Sequence, residues 1–143
     1  MVFSTPGTFT ITSSGVLDVS GGAGATNDGS GNPGNSGGGA GGDQWIFAKG
    51  SFTNAGQILL HGGAGGAYKA PKTACGSQQP VPGPNGGYGS GGVLIITAPT
   101  VANSGTINLS SGNGTSTPSG GLLDANGVTI NNTGTIEGAR TTE

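Results

Sequence analysis

Short apolar segments recur along the chain, each arranged around a glycine. Four segments share the order apolar, any, Asn or Ser, any, Gly, any, apolar, any, and usually apolar again; they begin at Ile11, Phe52, Val101 and Ile130. Apolar residues at alternate positions turn one side of a β-strand towards a core. Each segment therefore predicts two short strands that meet at a corner.

Alignment of the four segments predicts columns of side chains that stack from one repeat to the next. The inward columns are Ile11/Phe52/Val101/Ile130, Leu17/Ile58/Ile107/Ile136 and Val19/Leu60/Leu109. The column that faces outward is Asp18/Leu59/Asn108/Glu137. Stacked columns of this kind are typical of a β-structure built from repeated coils.

The corners are predicted to combine a stacked polar residue with a glycine. The polar column is Ser13/Asn54/Asn103/Asn132, and stacked amides hydrogen-bond along the stack. The glycines are Gly15, Gly56, Gly105 and Gly134, for which we expect the positive φ that glycine adopts without a Cβ clash. The residues assigned a structural role at the corners are Asn54, Gly56, Asn103, Gly105, Asn132 and Gly134.

A further apolar segment precedes each of the last three corners, at 45–48, 93–98 and 121–125. Three short strands per repeat favour a β-solenoid or a closely related layered sheet. The predicted fold is thus all-β, with about four repeats in a single domain that covers 1–143. The repeat units lie near 3–20, 43–61, 91–110 and 120–138.

Glycine-rich insertions, at 21–42, 62–92 and 111–120, separate the repeats. Glycine occupies every third position at Gly31, Gly34 and Gly37, and again at Gly83, Gly86, Gly89 and Gly92. A three-residue period matches the polyproline II helix, which has no internal hydrogen bonds. We therefore expect polyglycine II-like strands that neighbouring backbone holds in place, with flexible linkers as the alternative.

Composition narrows the classes of partner. The 143 residues include 34 Gly and 8 Pro, only 31% are hydrophobic and 7% are charged, and the net charge is −2. So few apolar residues argue against a large single core, and four basic residues cannot supply the cationic surface that nucleic-acid binding needs. The apolar runs are far shorter than the roughly 20 residues of a membrane span, and the first residues show no signal-peptide pattern.

Residues that carry catalytic chemistry are few. His61 is the one histidine and Cys75 the one cysteine, and the six acidic residues are spread singly along the chain. This distribution predicts no catalytic site, no metal site and no bound cofactor. Trp45, Tyr68 and Tyr88 lie beside glycine tracts, where aromatic rings either pack over backbone or form a platform for a sugar, and they are the candidate receptor contacts.

The segments from Gly41 to Ile58 and from Gly91 to Ile107, together with the opening Phe3–Thr10, resemble the glycine-rich repeats of tailed-bacteriophage fibres, adhesins and other virion surface proteins. That resemblance implies a β-rich, non-enzymatic structural or receptor-binding part on a virion or outside a cell. It also implies homo-oligomers, often trimers, with other surface-assembly proteins and a host-surface glycan as partners.

The sequence leaves a second hypothesis open. The Asn-x-Gly-x-Ile unit also occurs in secreted β-helical proteins, so a secreted module that binds glycan or ice, or an extracellular filament subunit, is the second hypothesis. The threonine column in the alignment, Thr12 and Thr53, is interrupted by Ala102 and Asn131, which makes an irregular row for an ice-binding face.

Overall fold

The computed structural model describes residues 1–26, 36–67, 86–112 and 120–142. These residues form thirteen β-strands in three sheets and contain no α-helix. Accordingly, none of the described segments is a helix of the length and hydropathy needed to cross a bilayer. Three of the period-three glycines, Gly31, Gly34 and Gly83, lie outside the described residues, as does Cys75.

Each sheet is built from strands that come from successive repeats. Sheet A contains β1 (Val2–Thr5), β4 (Asp43–Ala48), β7 (Val93–Thr97), β10 (Leu122–Asp124) and β13 (Arg140–Thr142). Sheet B contains β2 (Phe9–Ile11), β5 (Ser51–Asn54), β8 (Thr100–Asn103) and β11 (Ile130–Asn132). Sheet C contains β3 (Val16–Asp18), β6 (Gln57–Leu59), β9 (Thr106–Asn108) and β12 (Thr135–Glu137).

Every pair of neighbouring strands is parallel, and the chain visits sheets A, B and C in turn four times. Each visit makes one coil, and β13 adds a fifth strand to sheet A alone. The all-β prediction of about four stacked repeats is therefore confirmed. The strand β13 is polar and was not predicted from the sequence.

The core lies between the three sheets and is formed by the alternate, inward-facing residues of each strand. Ile46, Phe52, Ile58, Leu94 and Ile107 are fully buried in the second and third coils. Burying one such side chain contributes about 1.5–3 kcal/mol, so the two central coils carry most of the hydrophobic stabilisation. Inward residues of the first and last coils, such as Phe3 and Ile136, are only partly buried.

The first coil corrects the predicted alignment. Phe9, not Ile11, pairs with Phe52, and Ile11 pairs with Asn54. The sequence alignment counted back from Gly15 without a gap, but this coil has four residues between Ile11 and Val16 where the second coil has two between Asn54 and Gln57. The shifted register stacks the rings of Phe9 and Phe52 at 6.1 Å and leaves Ser13 out of the polar column.

The corner glycines correct a second expectation. Among the described residues, only Asn126, Gly127 and Gly138 have positive φ, so the corners do not require left-handed backbone. Glycine is needed there because the coils approach closely: a Cβ on Gly105 would lie 2.1 Å from the carbonyl oxygen of Gly56. The same Cβ on Gly134 would lie 2.1 Å from the oxygen of Gly105.

The described parts of the glycine-rich insertions pack into one bundle of extended segments. We call segments 19–26, 36–42, 60–67, 86–92 and 109–112 the polyglycine bundle. Segment 60–67 hydrogen-bonds to all four others: Gly24 N to Ala64 O at 2.7 Å, Gly63 N to Gly39 O at 2.7 Å, Gly89 N to Gly63 O at 2.9 Å and Gly62 N to Ser110 O at 2.9 Å.

The hydrogen bonds of the bundle repeat every three residues. The amides of Gly86, Gly89 and Gly92 donate to the carbonyls of Gly66, Gly63 and Leu60, respectively. A period of three with bonds only between segments is the polyproline II pattern expected from the glycine spacing. Contact is close enough that a Cβ on Gly89 would lie 1.9 Å from the oxygen of Gly39, whereas a Cβ on Gly87 would meet nothing within 4 Å.

Candidate binding surfaces

A ladder of asparagine amides runs along the corner between sheets B and C. Asn54 Nδ2 donates to Asn103 Oδ1 at 2.7 Å, and Asn103 Nδ2 donates to Asn132 Oδ1 at 2.8 Å. Asn54 and Asn103 are buried, and their Nδ2 groups also approach the carbonyls of Thr106 and Thr135 in the next coil. Asn54 and Asn103 are therefore internal structure, whereas Asn132, the last member of the ladder, is exposed.

The ladder begins at Asn54 because Ile11 occupies the equivalent level of the first coil. Asn54 Oδ1 instead accepts a hydrogen bond from Gly56 N at 3.2 Å, and Asn132 Oδ1 accepts one from Gly134 N at 3.2 Å. Each asparagine therefore braces its own corner as well as the neighbouring coil. Both roles depend on the Asn-x-Gly spacing that the sequence showed.

An apolar surface lies on the outer side of sheet A. Trp45 is 45% exposed and Phe47 is 36% exposed, and their rings meet edge to face with centroids 6.4 Å apart. In register, Val2 and Ile95 flank Trp45 on the neighbouring strands. We call the outward side chains of Val2, Trp45, Phe47 and Ile95 the aromatic face.

The aromatic face follows from strict alternation along β4. Gln44, Ile46 and Ala48 point inward and are buried, so Trp45 and Phe47 must point outward. The sequence prediction named Trp45 but missed Phe47, although the same alternation would have identified it. Ser4 and Thr97 flank Phe47 in register and add hydroxyl groups beside the rings.

Tyr88 does not belong to this surface. It is 54% exposed but lies in the polyglycine bundle, seven residues before Ile95, the register partner of Trp45. No strand of sheet A contains Tyr88, so it has no register position beside Trp45. The third candidate contact, Tyr68, lies outside the described residues.

A groove of about 420 Å³ crosses the bundle beside His61. Its polar lining includes His61, Asn108 and Ser110, and its floor is largely glycine backbone. His61 Nδ1 lies 3.0 Å from the carbonyl oxygen of Gly62, which can only accept, so Nδ1 carries a proton. The Ser110 hydroxyl donates to Asn108 Oδ1 at 2.7 Å, so its hydrogen is committed to the amide.

Asp18 is held in the same way by a neighbouring serine. Its Oδ1 accepts hydrogen bonds from both the hydroxyl and the backbone N–H of Ser20. These bonds, with a smaller electrostatic contribution from His61, lower the pKa of Asp18 below 3.8. Asp18 therefore stays ionised near neutral pH, and neither serine hydroxyl is placed to be activated by His61.

Metal binding has no support in the described part of the chain, where no three His, Cys, Asp or Glu side chains come together in a group that could hold an ion. Comparison with known proteins gives no match: no family model, no curated protein and no solved structure is significantly similar to the chain.

Proposed function

We propose that this chain is a non-enzymatic structural and receptor-binding part of a virion surface, namely a segment of a bacteriophage tail fibre or adhesin or a capsid-attached component. The aromatic face is the observation that supports a binding role. Four apolar side chains stay outside the core on the one sheet that has five strands. Large exposed aromatic residues on a rigid sheet are a common feature of surfaces that bind partners.

The scaffold beneath that face suits a rigid extracellular part. Three parallel sheets fix the coils, and the polyglycine bundle bonds segments from successive coils to one another. Segment 60–67, which leaves the second coil, is bonded to segments that leave the first and third coils. A receptor-binding surface gains affinity when its scaffold is already ordered, because less conformational entropy is lost on binding.

A host-surface glycan is the ligand we assign to the aromatic face. Sugar rings stack their C–H faces on aromatic side chains, and Ser4 and Thr97 supply hydroxyls beside Phe47 for hydrogen bonds to sugar hydroxyls. In the proposed assembly the chain is homo-oligomeric, most simply a trimer within a fibre. Oligomerisation or attachment to other surface proteins would cover the strand edges that end the three sheets.

Gold-labelled antibody against the chain tests the proposed location. Applied to the culture medium of the source organism, the label should sit on the surface of particles seen by electron microscopy. Label found only inside cells, or on no particle, would refute the virion proposal.

A glycan array tests the ligand independently of location. We expect the parent chain to bind a subset of glycans, Trp45→Ala to lose that binding, and Tyr88→Ala to keep it. Tyr88 is a matched control because it is an exposed aromatic residue away from sheet A. Binding that survives Trp45→Ala but is lost in Tyr88→Ala would contradict the assignment to the aromatic face.

A further inference from the structure

The polyglycine bundle forms an incomplete ring around its central segment, 60–67. The four outer segments follow one another in the order 19–26, 36–42, 86–92 and 109–112. Each is bonded to the next: Gly39 N to Gly22 O at 2.8 Å, Gly38 N to Gly87 O at 2.9 Å and Gly112 N to Gly89 O at 2.9 Å. Among the described residues, no backbone hydrogen bond joins 109–112 back to 19–26, so the ring is open on that side.

The groove beside His61 lies at this opening. One wall comes from Gly21 and Ala23 of segment 19–26, the other wall comes from residues between 108 and 112, and the floor is 61–64. Ala23 and Ala64 are exposed, so small methyl groups border much of the groove. The groove therefore lies where a further segment would complete the ring.

The geometry of the central segment sets the number of neighbours that the ring can hold. A strand with three residues per turn carries its amides in three columns and its carbonyls in three more, so it can bond in six directions. Segment 60–67 uses four directions, one for each neighbour: the amides of Gly62 and Gly63 and the carbonyls of His61 and Gly63. Two directions remain.

The remaining directions belong to the amides of His61 and Ala64 and to the carbonyls of Gly62 and Gly65. Within the described residues, neither amide has a hydrogen-bond partner, and neither does the carbonyl of Gly65. The carbonyl of Gly62 accepts from the imidazole Nδ1 of His61, at 3.0 Å. The amide column is therefore wholly open, whereas a side chain already caps part of the carbonyl column.

The order of bonding around segment 60–67 shows where these columns face. The segment accepts from 19–26, donates to 36–42, accepts from 86–92 and donates to 109–112. If this alternation continues through the opening, the free carbonyls lie next to 109–112 and the free amides lie next to 19–26. Both columns then face the groove.

The chemistry of the open amide column specifies what can bind there. His61 and Ala64 are three residues apart, so a matching row of carbonyls must also repeat every three residues, as in polyproline II chain but not in a β-strand. Contacts within the bundle are made by glycine: a Cβ on Gly63 would lie 1.9 Å from Gly22 O, and one on Gly112 would lie 1.9 Å from Gly63 O. An occupant packed as closely must bring glycine to the floor at every third residue.

We propose that the groove binds a glycine-rich segment of a partner protein in the polyproline II conformation, which lies beside segment 19–26 and accepts hydrogen bonds from the amides of His61 and Ala64. A second copy of this chain is not the occupant, because its five described glycine-rich segments are held in its own bundle. The site is independent of the proposed virion role and glycan site, since it uses the bundle and not the aromatic face.

Two synthetic peptides test the groove of the full chain: one of repeated Pro-Gly-Gly triplets and a matched control of repeated Pro-Ala-Ala triplets. Proline favours the polyproline II conformation in both, but only the first has glycines that can approach the floor. In an NMR titration, the first peptide should shift the amide signals of His61 and Ala64 and slow their hydrogen exchange. The Gly63 amide, already bonded to Gly39 O, should change little. The control peptide should bind at least roughly tenfold more weakly, because the hydrogen bonds to the two amides are lost.

A pair of alanine variants locates the binding. Ala64→Val places a larger side chain on the floor and should weaken binding of the Pro-Gly-Gly peptide by roughly tenfold. Ala25→Val is the matched control, because Ala25 is another exposed alanine of the bundle but does not line the groove. If Ala64→Val fails to fold, the comparison of the two peptides on the parent chain still decides the question.

The proposal is wrong if the parent binds neither peptide, binds both equally, or binds the Pro-Gly-Gly peptide with no change at the His61 and Ala64 amides. Equal binding by Ala64→Val and Ala25→Val would also overturn it. If no peptide binds but protection of the two amides rises with protein concentration, a second copy occupies the groove and the assignment to a partner protein is wrong.

Discussion

Substituting alanine for Gly89 should open the polyglycine bundle, whereas the same substitution at Gly87 should not. The new Cβ at position 89 would lie 1.9 Å from the carbonyl oxygen of Gly39, and ordinary contact begins at 3.4 Å. Segments 36–42 and 86–92 must therefore separate by roughly 1.5 Å. At position 87 the Cβ points into open space, so Gly87→Ala is a control two residues away on the same segment.

The expected magnitude follows from the hydrogen bonds that the new methyl group disrupts, because it would also lie 3.0 Å from Gly63 N, between that amide and its acceptor. Gly39 O accepts from Gly63 N at 2.7 Å, and Gly38 N and Gly41 N donate to Gly87 O and Ser90 O at 2.9 and 2.8 Å. Three bonds contribute about 1.5–4.5 kcal/mol net, offset by the 0.4–1 kcal/mol that alanine gains through a less flexible unfolded chain. We expect Gly89→Ala to destabilise the bundle by about 2.5 kcal/mol and Gly87→Ala to stabilise it by about 0.5 kcal/mol.

Amide hydrogen exchange measures this difference where it arises. Where the exchange rate is set by the opening equilibrium, a loss of about 2.5 kcal/mol corresponds to roughly 70-fold faster exchange at the Gly63 amide. In Gly87→Ala the same amide should exchange no faster than in the parent. Equal protection of Gly63 in the two variants would refute the reasoning that glycine is required by the close approach of backbones.

Three further predictions concern the solenoid. Asn103→Ala removes two ladder bonds and should lower the free energy of unfolding, measured by urea denaturation, by about 2–4 kcal/mol. Asn131→Ala, at an exposed position, should change it by less than about 0.5 kcal/mol. Similar losses in the two variants would contradict the ladder. Ile107→Ala should cost about 2–5 kcal/mol because the side chain is fully buried, and a smaller loss would mean that the coils are loosely packed. The lowered pKa of Asp18 stabilises the fold at higher pH, and this contribution is lost as the pH falls below 3.8. The melting temperature of Asp18→Asn should therefore fall less on acidification than that of the parent. An equal fall in the two proteins would count against the Ser20 hydrogen bonds.

The repeat architecture was predictable because apolar periodicity and the Asn-x-Gly corner agree in the last three coils. Ile58 and Ile107 lie in register and fully buried, as their shared column predicts. The first coil was misaligned because its corner is two residues longer, and a single sequence shows no sign of that insertion. Only the pairing of Phe9 with Phe52 reveals it.

The reason for the corner glycines was also beyond the sequence. Positive φ and close backbone contact both demand glycine, so residue type alone cannot distinguish them. The surfaces were predictable only in part. Alternation along β4 exposes Trp45, but the aromatic face also needs Val2 and Ile95, which come from other coils and meet Trp45 only through register.

The polyglycine bundle has a mechanical consequence for a chain held at its two ends. β1 and β13 are the opposite edge strands of sheet A, so tension between the ends pulls along the direction in which the coils are stacked. In an isolated solenoid such a load would peel the coils away one after another, each at a low force. Here segment 19–26 follows the first coil and is bonded to segments on either side of the second coil, through Gly24 N to Ala64 O and Gly39 N to Gly22 O, so tension that has peeled the first coil reaches the second coil only by breaking the bundle. After the first coil, stretching should therefore show few, large force peaks instead of a series of small ones.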